Sequence, residues 1–285
     1  MSKPYHISIE QLRVEGLQEV FDALEGAFNT CGVDFYLVGA LARDVWFAIH
    51  GIKERRATRD IDLAVLIATE QQFMDLKIHL TTWEGFTEAG TSRFTLLYRN
   101  RIQIDLMPFG AIEAADRTVR FRGMGLTTMS TQGLEEMYRT SQLVAIGQGK
   151  AFKVSSLPGL VILKLIAWED RPELRSKDAQ DVLHILENYF EITEDDIYDH
   201  HNDLFDDTTL LSDIAARVLG RHIGKILADR VPLQERMIRL LAKQTESEQD
   251  SALGEAIVGG GSDHTVGEAL NLLRMVLVGM QDPLP

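Results

Sequence analysis

The stretch DIDLAVLI, residues 60–67, carries two aspartates in a run that otherwise has the apolar composition of a buried strand. A lone buried carboxylate costs several kcal/mol unless it is paired or bound to a metal. Side chains at i and i+2 of a strand project from the same face, so Asp60 and Asp62 converge on one point. The stretch therefore predicts a buried strand whose two carboxylates have a specific partner.

The length of 285 residues predicts two domains, and 45% hydrophobic with 25% charged residues is ordinary for a globular protein. No run of about 18 apolar residues is present, and the N-terminus lacks the basic start and apolar core of a signal peptide. We therefore expect a cytoplasmic protein with no membrane contact.

The formal net charge of -14 argues against a broad nucleic-acid surface, because phosphate binding depends on Lys and Arg. Any contact with nucleic acid has to be local, and the alternative for each basic cluster is a solvated surface. The clusters are Lys53, Arg55, Arg56 and Arg59; Arg117, Arg120 and Arg122; and Arg171, Arg175 and Lys177.

The hydrophobic periodicity predicts an α+β fold, with an N-terminal mixed β-sheet and flanking helices followed by a mainly helical C-terminal domain. We place the sheet domain at residues 1–155 and the helical domain at 156–285, with a flexible segment near 245–264 that is rich in Gly, Ser and acidic residues. Predicted N-terminal elements are a helix over 7–31, strands at 35–39 and 60–67, a helix over 69–83, and a hairpin over 93–110 with its turn at 99–101.

The second arm of this hairpin, RIQIDLMPF, alternates so that Gln103, Asp105 and Met107 face one side of the sheet. If this strand lies beside the first, Asp105 joins Asp60 and Asp62. Three clustered carboxylates repel one another unless cations lie between them, and such oxygen ligands suit Mg²⁺ together with substrate phosphates. Two such ions can promote phosphoryl transfer. In the alternative, Asp60 pairs with Arg56 or Arg59 and Asp62 lies at a sheet edge.

Gly39 separates a short apolar strand from a helix in YLVGALARD. The backbone N–H groups at the start of such a helix bind anions, aided by the helix dipole, and a triphosphate fits there. Glycine at a strand-to-helix turn is also compatible with a simple turn.

The segments VGALARDVW, TRDIDLAV and IQIDLM resemble the nucleotidyltransferase superfamily of the DNA polymerase beta type. YLVGALARD is similar to the head motif of CCA-adding enzymes, but the later motifs that read bases are not apparent. The resemblance implies that Asp60 and Asp62 bind metal and that Asp105 is the third carboxylate, which deprotonates or orients the acceptor hydroxyl. It further implies nucleotide binding by Gly39, Ala40 and Arg43, although Ala40 stands where Gly or Ser is usual and any hydroxyl contact is lost.

The segment LPGLVILKLIAWEDRPELRSKDAQDVLHIL resembles AbiEii-type (MenT-like) nucleotidyltransferases. The resemblance implies that Lys164 contacts the nucleotide phosphates and that Asp178 or Asp181 is needed for activity. The two aspartates share one helical face, close to Lys164 if the helices pair. Because Lys164 lies within an apolar run, its ammonium would be costly without a nearby anion. The alternative is a solvent-exposed charged helix face.

The leading hypothesis is a Mg²⁺-dependent enzyme that transfers a nucleoside monophosphate from an NTP to an acceptor hydroxyl, on an RNA 3′ end or a protein. This toxin-like group implies an antitoxin partner. The alternatives are a small-molecule nucleotidyltransferase of the aminoglycoside or lincosamide kind and a non-catalytic nucleotide-binding protein. We expect no zinc site at His184, His200 or His201, because the first is a single histidine on a helix and the others lie in an acidic loop.

Overall fold

The computed structural model describes residues 5–53, 60–90, 92–122, 127–146, 150–259 and 262–283. The chain divides into an N-terminal unit, Met1–Ser156, and a C-terminal unit, Leu157–Pro285. The first contains the mixed sheet and the second is helical, so the predicted α+β class is confirmed.

The strands of the N-terminal unit are β1 Tyr5–Ile7, β2 Asp34–Val38, β3 Asp60–Leu66, β4 Phe86–Glu88, β5 Thr95–Tyr98, β6 Ile102–Phe109, β7 Thr118–Arg120, β8 Thr128–Ser130, β9 Gln142–Ile146 and β10 Ala151–Val154. Its helices are α1 Leu17–Cys31, α2 Gly39–Ile49, α3 Glu70–Trp83 and α4 Leu134–Thr140. The main sheet has the order β1-β9-β10-β2-β3-β6-β5-β4, and β7 pairs with β8 separately. Strand β3 is therefore an interior strand, which excludes the alternative that placed Asp62 at a sheet edge.

The sheet is held by apolar side chains on both of its faces. Ile61, Leu63 and Val65 on one face of β3 are fully buried, and so is Ala64 on the other face, as expected for a strand covered on both sides. Helix α1 contributes aromatic contacts, with the Phe28 ring 4.3 Å from that of Phe35 between centroids. Burying each such side chain contributes about 1.5–3 kcal/mol, so β2 and β3 have a fixed position on which a site can be built.

The N-terminal helix is shorter than predicted. The segment over 7–31 divides into β1, a 3-10 turn at Ile9–Leu12 and α1, which begins only at Leu17. Arg13 and Gly16 have φ of 50° and 79°, and these left-handed conformations interrupt a right-handed helix. Strand β9 was not predicted: it forms a local antiparallel pair with β10, and its parallel pairing with β1 brings together segments distant in sequence.

The C-terminal unit consists of helices α5 Leu157–Asp170, α6 Ser176–His200, α7 Leu211–Leu227, α8 Val231–Thr245, α9 Ala252–Val258 and α10 Val266–Gln281. Part of the segment near 245–264, for which we predict flexibility, forms α9. The side chain of Ser251 caps this helix by accepting a bond from Gly254 N, and Leu253 and Ile257 are buried. Capping and burial outweigh the polar composition.

Two glycines allow α7 and α10 to pack with their backbones in contact. A Cβ on Gly279 would lie 1.9 Å from the carbonyl oxygen of Arg217, and one on Gly220 would lie 2.1 Å from that of Val276. In the part of the chain that the structure describes, no helix is both long and apolar enough to cross a membrane.

Candidate active site

Asp62 and Asp105 lie directly opposite each other on two neighbouring strands. Strands β3 and β6 are parallel, and their register pairs Asp62 with Asp105 and Asp60 with Gln103. Neighbouring strands are about 4.8 Å apart and paired residues share a face, so the two carboxylates emerge side by side. Both are half-buried, whereas Asp60 is exposed. The predicted adjacency of the two aspartate strands is therefore confirmed.

Two polar side chains hold the Asp105 carboxylate. Thr95 Oγ1 donates to Oδ1 of Asp105 at 2.6 Å, and Gln103 Nε2 donates to Oδ2 at 2.9 Å. Thr95 faces Asp105 in the antiparallel pairing of β5 with β6. Each carboxylate oxygen retains a second lone pair that can accept a cation. Neither residue is a site candidate on sequence grounds, although Gln103 shares the i, i+2 face of Asp105 and the hairpin register places Thr95 opposite Asp105.

Gly39 lies directly against Asp62. Strand β2 pairs antiparallel with β3, which sets Val38 opposite Asp62, and the chain then turns into α2 at Gly39. A Cβ on Gly39 would lie 1.9 Å from Oδ2 of Asp62, and the residue has φ of +69°. Glycine is therefore required both for the backbone conformation and for the space. The first-turn N–H groups of α2, including that of Ala40, have no acceptor within the helix, and they begin beside this carboxylate.

Arg43, one turn into α2, points into the protein. Its side chain is 1% exposed and donates from Nε to Oδ1 of Asp44 at 2.9 Å. The guanidinium also lies over the Phe47 ring, 5.9 Å from its centroid. Nucleotide binding by Arg43 stays a prediction, and its burial beside Asp44 favours a role in shaping the start of α2.

In the C-terminal unit, α5 and α6 bring Lys164 together with two aspartates. Lys164 Nζ donates to Asp181 Oδ2 at 2.7 Å and to Asp178 Oδ1 at 3.2 Å, and the lysine side chain is 5% exposed. The predicted proximity is confirmed, and the alternative of a solvent-exposed charged face is wrong for Lys164 and Asp181. The buried ammonium has its anions within the protein, so its burial alone no longer argues for a phosphate.

The basic clusters are partly neutralised by neighbouring acids. Arg117 Nε is 2.9 Å from Glu113 Oε2, and Arg117 Nη1 is 3.1 Å from Glu135 Oε2. Arg120 pairs with Asp116. Arg55, Arg56 and Arg59 lie outside the described residues, as does the pairing with Asp60 that was one alternative for that carboxylate. These acids therefore reduce the positive charge that Arg117 and Arg120 offer to a nucleic acid.

The mixed sheet, the paired strand aspartates and the glycine turn agree with the sequence resemblance. The family described as nucleotidyl transferase AbiEii toxin, type IV TA system, matches residues 22–270. The protein is therefore a nucleotidyltransferase. The chain belongs to this AbiEii family. The resemblance to AbiEii-type enzymes is thus confirmed.

Two solved structures are similar to the chain. One is the antibiotic-resistance factor ANT(2'')-Ia, with 12% identity over 82% of this chain and 100% of that one, and a TM-score of 0.37. The other is the cyclic dinucleotide synthase CdnE of Elizabethkingia meningoseptica in a structure with GTP and Apcpp, with 13% identity over 95% and 93% of the two chains and a TM-score of 0.27. Scores this low carry no argument about substrate. Among curated protein sequences, none matches the chain.

Proposed function

We propose that the protein transfers a nucleoside monophosphate from an NTP to an acceptor hydroxyl in a Mg²⁺-dependent reaction. The observation that carries this proposal is the register of β3 and β6, which sets Asp62 opposite Asp105 while Gly39 lies against Asp62. The start of α2 attracts anions, whereas the carboxylates repel them. A triphosphate bound beside both therefore requires a cation between them.

The donor set at this position fits Mg²⁺. Asp60, Asp62 and Asp105 offer carboxylate oxygens, and hard cations prefer oxygen to nitrogen or sulfur ligands. These three residues would hold one or two ions together with the phosphates. When bound, Mg²⁺ polarises the reacting phosphate and stabilises the charge on the leaving pyrophosphate.

Residues of the chain bind the triphosphate and accept the proton of the acceptor hydroxyl. The N–H groups of Gly39 and Ala40 bind the triphosphate at the start of α2. Asp105 accepts the proton of the acceptor hydroxyl, whose oxygen forms a bond to the α-phosphorus while the bond to the bridging oxygen breaks and pyrophosphate leaves. Thr95 and Gln103 keep the Asp105 carboxylate oriented for this step.

The family resemblance is the basis on which we propose a nucleotide-binding role for Lys164, Asp178 and Asp181. Their mutual ion pairs hold Lys164 in one place, which favours a defined contact over a mobile one. Arg43 enters as a residue that shapes the first turn of α2.

For the acceptor we propose a macromolecule, an RNA 3′ end or a protein, because the family description is that of a toxin from a toxin–antitoxin system. An antitoxin partner belongs to the same proposal. A small cationic acceptor is the second candidate, since the net charge of -14 attracts cations.

The test supplies each labelled NTP with Mg²⁺ and measures pyrophosphate release, together with label on RNA, on the protein itself and on an aminoglycoside. We expect release with the wild type and a loss of at least about 100-fold in Asp62→Asn. The matched control is Asp75→Asn, an exposed aspartate on α3 of the same unit. Equal release by the wild type and Asp62→Asn contradicts the proposed site. No release with any acceptor, while nucleotide still binds, contradicts the proposed reaction and supports a non-catalytic protein.

A further inference from the structure

Three potential metal ligands meet in the C-terminal unit, where the end of α6 approaches α7. Asp196 lies in the last turns of α6, His201 follows that helix directly, and His222 lies within α7. One nitrogen or oxygen atom from each residue lies within 4.8 Å of the others. The sequence did not indicate this cluster, because His201 follows α6 whereas His222 lies in α7. The segment around His201 also resembles an exposed acidic loop.

The spacing of these atoms suits a small metal ion. Asp196 Oδ2 lies 3.2 Å from His222 Nε2 and 3.7 Å from His201 Nε2. A tetrahedral ion with bonds of about 2.0–2.1 Å separates neighbouring ligand atoms by about 3.3–3.4 Å. Two of the three separations are therefore close to those of a tetrahedral site, and the third lies within 4.8 Å.

The carboxylate oxygen at the centre of the cluster provides a second observation. Oδ2 of Asp196 is buried, and among the described residues no group donates to it in good hydrogen-bond geometry, although Nε2 of His222 lies 3.2 Å away. The other oxygen, Oδ1, lies 3.3 Å from Nδ1 of the exposed His200. The buried oxygen Oδ2 therefore faces the two imidazoles His201 and His222, whereas Oδ1 faces the exposed His200.

The ring of His222 is already oriented for this role. Tyr189, which is fully buried on α6, places its hydroxyl 2.7 Å from Nδ1 of His222, so that Nε2 faces Asp196. A hydrogen bond to the second ring nitrogen is the usual support for a histidine ligand.

Arg221 disfavours ion binding, because it donates a hydrogen bond to His201. Its Nη1 lies 3.1 Å from Nδ1 of His201 and donates to it, which leaves the proton of a neutral ring on Nε2. Binding an ion through Nε2 moves that proton to Nδ1 and breaks the contact with Arg221. The guanidinium keeps its bonds to Asp203 and Asp282. We therefore expect micromolar binding rather than the tighter binding of a preformed zinc site.

We propose that Asp196, His201 and His222 bind Zn²⁺ or a similar divalent transition-metal ion, which links the end of α6 to α7. Two imidazoles and one carboxylate are a ligand set for Zn²⁺ that leaves a fourth position to water. Mg²⁺, which prefers oxygen ligands, should not occupy it. The proposal does not depend on the proposed nucleotidyl transfer.

The test uses the full chain, freed of metal with a chelator, and follows Zn²⁺ binding by calorimetry and thermal unfolding with excess Mg²⁺ present. We expect Zn²⁺ to raise the unfolding temperature of the wild type. Asp196→Asn and His222→Ala should each weaken binding by about 100-fold or more, and Tyr189→Phe by about 10–100-fold. The matched control is His264→Ala, because His264 contacts Glu187 at 3.1 Å without a second histidine.

Absence of binding at micromolar Zn²⁺ overturns the proposal, and so does equal binding by the wild type, Asp196→Asn and His264→Ala. If His222→Ala does not fold, the binding measured for Asp196→Asn tests the proposal by itself. Asp196 is partly exposed, and asparagine has nearly the same shape as aspartate, so we expect this variant to fold. Asp62→Asn separates the two proposals: it should abolish nucleotidyl transfer and leave this Zn²⁺ affinity unchanged.

Discussion

A methyl group on Gly39 would lie 1.9 Å from Oδ2 of Asp62. The strand-to-helix turn is therefore in direct contact with the strand that carries Asp62. Gly39 both adopts the backbone conformation of the turn and leaves space for the carboxylate. This contact makes Gly39→Ala a sharp test of the candidate active site.

We expect Gly39→Ala to reduce pyrophosphate release by at least about 100-fold, because the methyl group must displace either Asp62 or the start of α2. The left-handed backbone adds about 1–2 kcal/mol of destabilisation. Gly32→Ala is the control, since Gly32 has φ of +62° and open space around it. Steady-state kinetics and urea unfolding should show both variants destabilised but only Gly39→Ala inactive; a fully active Gly39→Ala would remove the glycine turn from the site.

Thr95→Val and Gln103→Leu each remove one donor from Asp105. A hydrogen bond to a charged group contributes about 1.5–3 kcal/mol, so we expect kcat to fall about tenfold or more with little change in the KM for the NTP. Thr87→Val is the control, because Thr87 in the same sheet donates to Asn100. A change in KM alone would show that the two donors act on nucleotide binding and not on Asp105.

Lys164→Met should destabilise the C-terminal unit by about 3–5 kcal/mol, because Asp181 is left buried without its cation. The double variant with Asp181→Asn should recover part of this loss in urea unfolding. Arg175→Met is the control: its pair with Asp178 spans 3.5 Å and is exposed on the arginine side, so we expect about 0–1 kcal/mol. Additive effects of the two single substitutions would rule out a coupled buried pair.

Gly279→Ala should destabilise the packing of α7 against α10 by about 1–3 kcal/mol or more, because backbone atoms of Arg217 occupy the space for a Cβ. The control on the same helix is Gly267→Ala, whose added Cβ would meet only the exposed carboxylate end of Glu248. Thermal unfolding should separate the two variants. Similar unfolding temperatures would show that α7 and α10 can move apart at little cost.

Asp282 should make the stability of the C-terminal unit depend on acid pH. Burial alone would raise the pKa of Asp282, but the bonds donated by Arg217 and Arg221 lower it below its usual 3.8. A carboxyl with a depressed pKa stabilises the fold above about pH 3.8, and this contribution is lost as the pH falls through the lower folded value. Asp282→Asn should therefore be less stable than the wild type at pH 7, with a difference that shrinks below about pH 3.8.

Urea unfolding across this pH range provides the measurement. The exposed Asp229 is the control, and Asp229→Asn should follow the wild type at every pH. A constant difference between the wild type and Asp282→Asn down to the lowest pH would show that the ionised carboxylate is not the source of the stability.

Local patterns predicted much of the fold. The helix predicted over 69–83 is α3, where Thr69 accepts a bond from Gln72 N, and the predicted turn at 99–101 joins β5 to β6. These features depend on a few neighbouring residues, so their signal lies in short segments. The break before α1 and the helix at 252–258 were missed because left-handed residues and the burial of Leu253 overrode the local pattern.

The sequence by itself determined that Asp60 and Asp62 share one face of a strand, since the period of two is a local property of the extended backbone. Only the tertiary structure decided that Asp105 lies opposite Asp62, that Asp181 neutralises Lys164, and that His222 meets Asp196. Strand order and helix packing depend on contacts between side chains that are distant along the chain. A short segment of sequence does not specify which distant segment it will contact, so these features could not be predicted from local patterns.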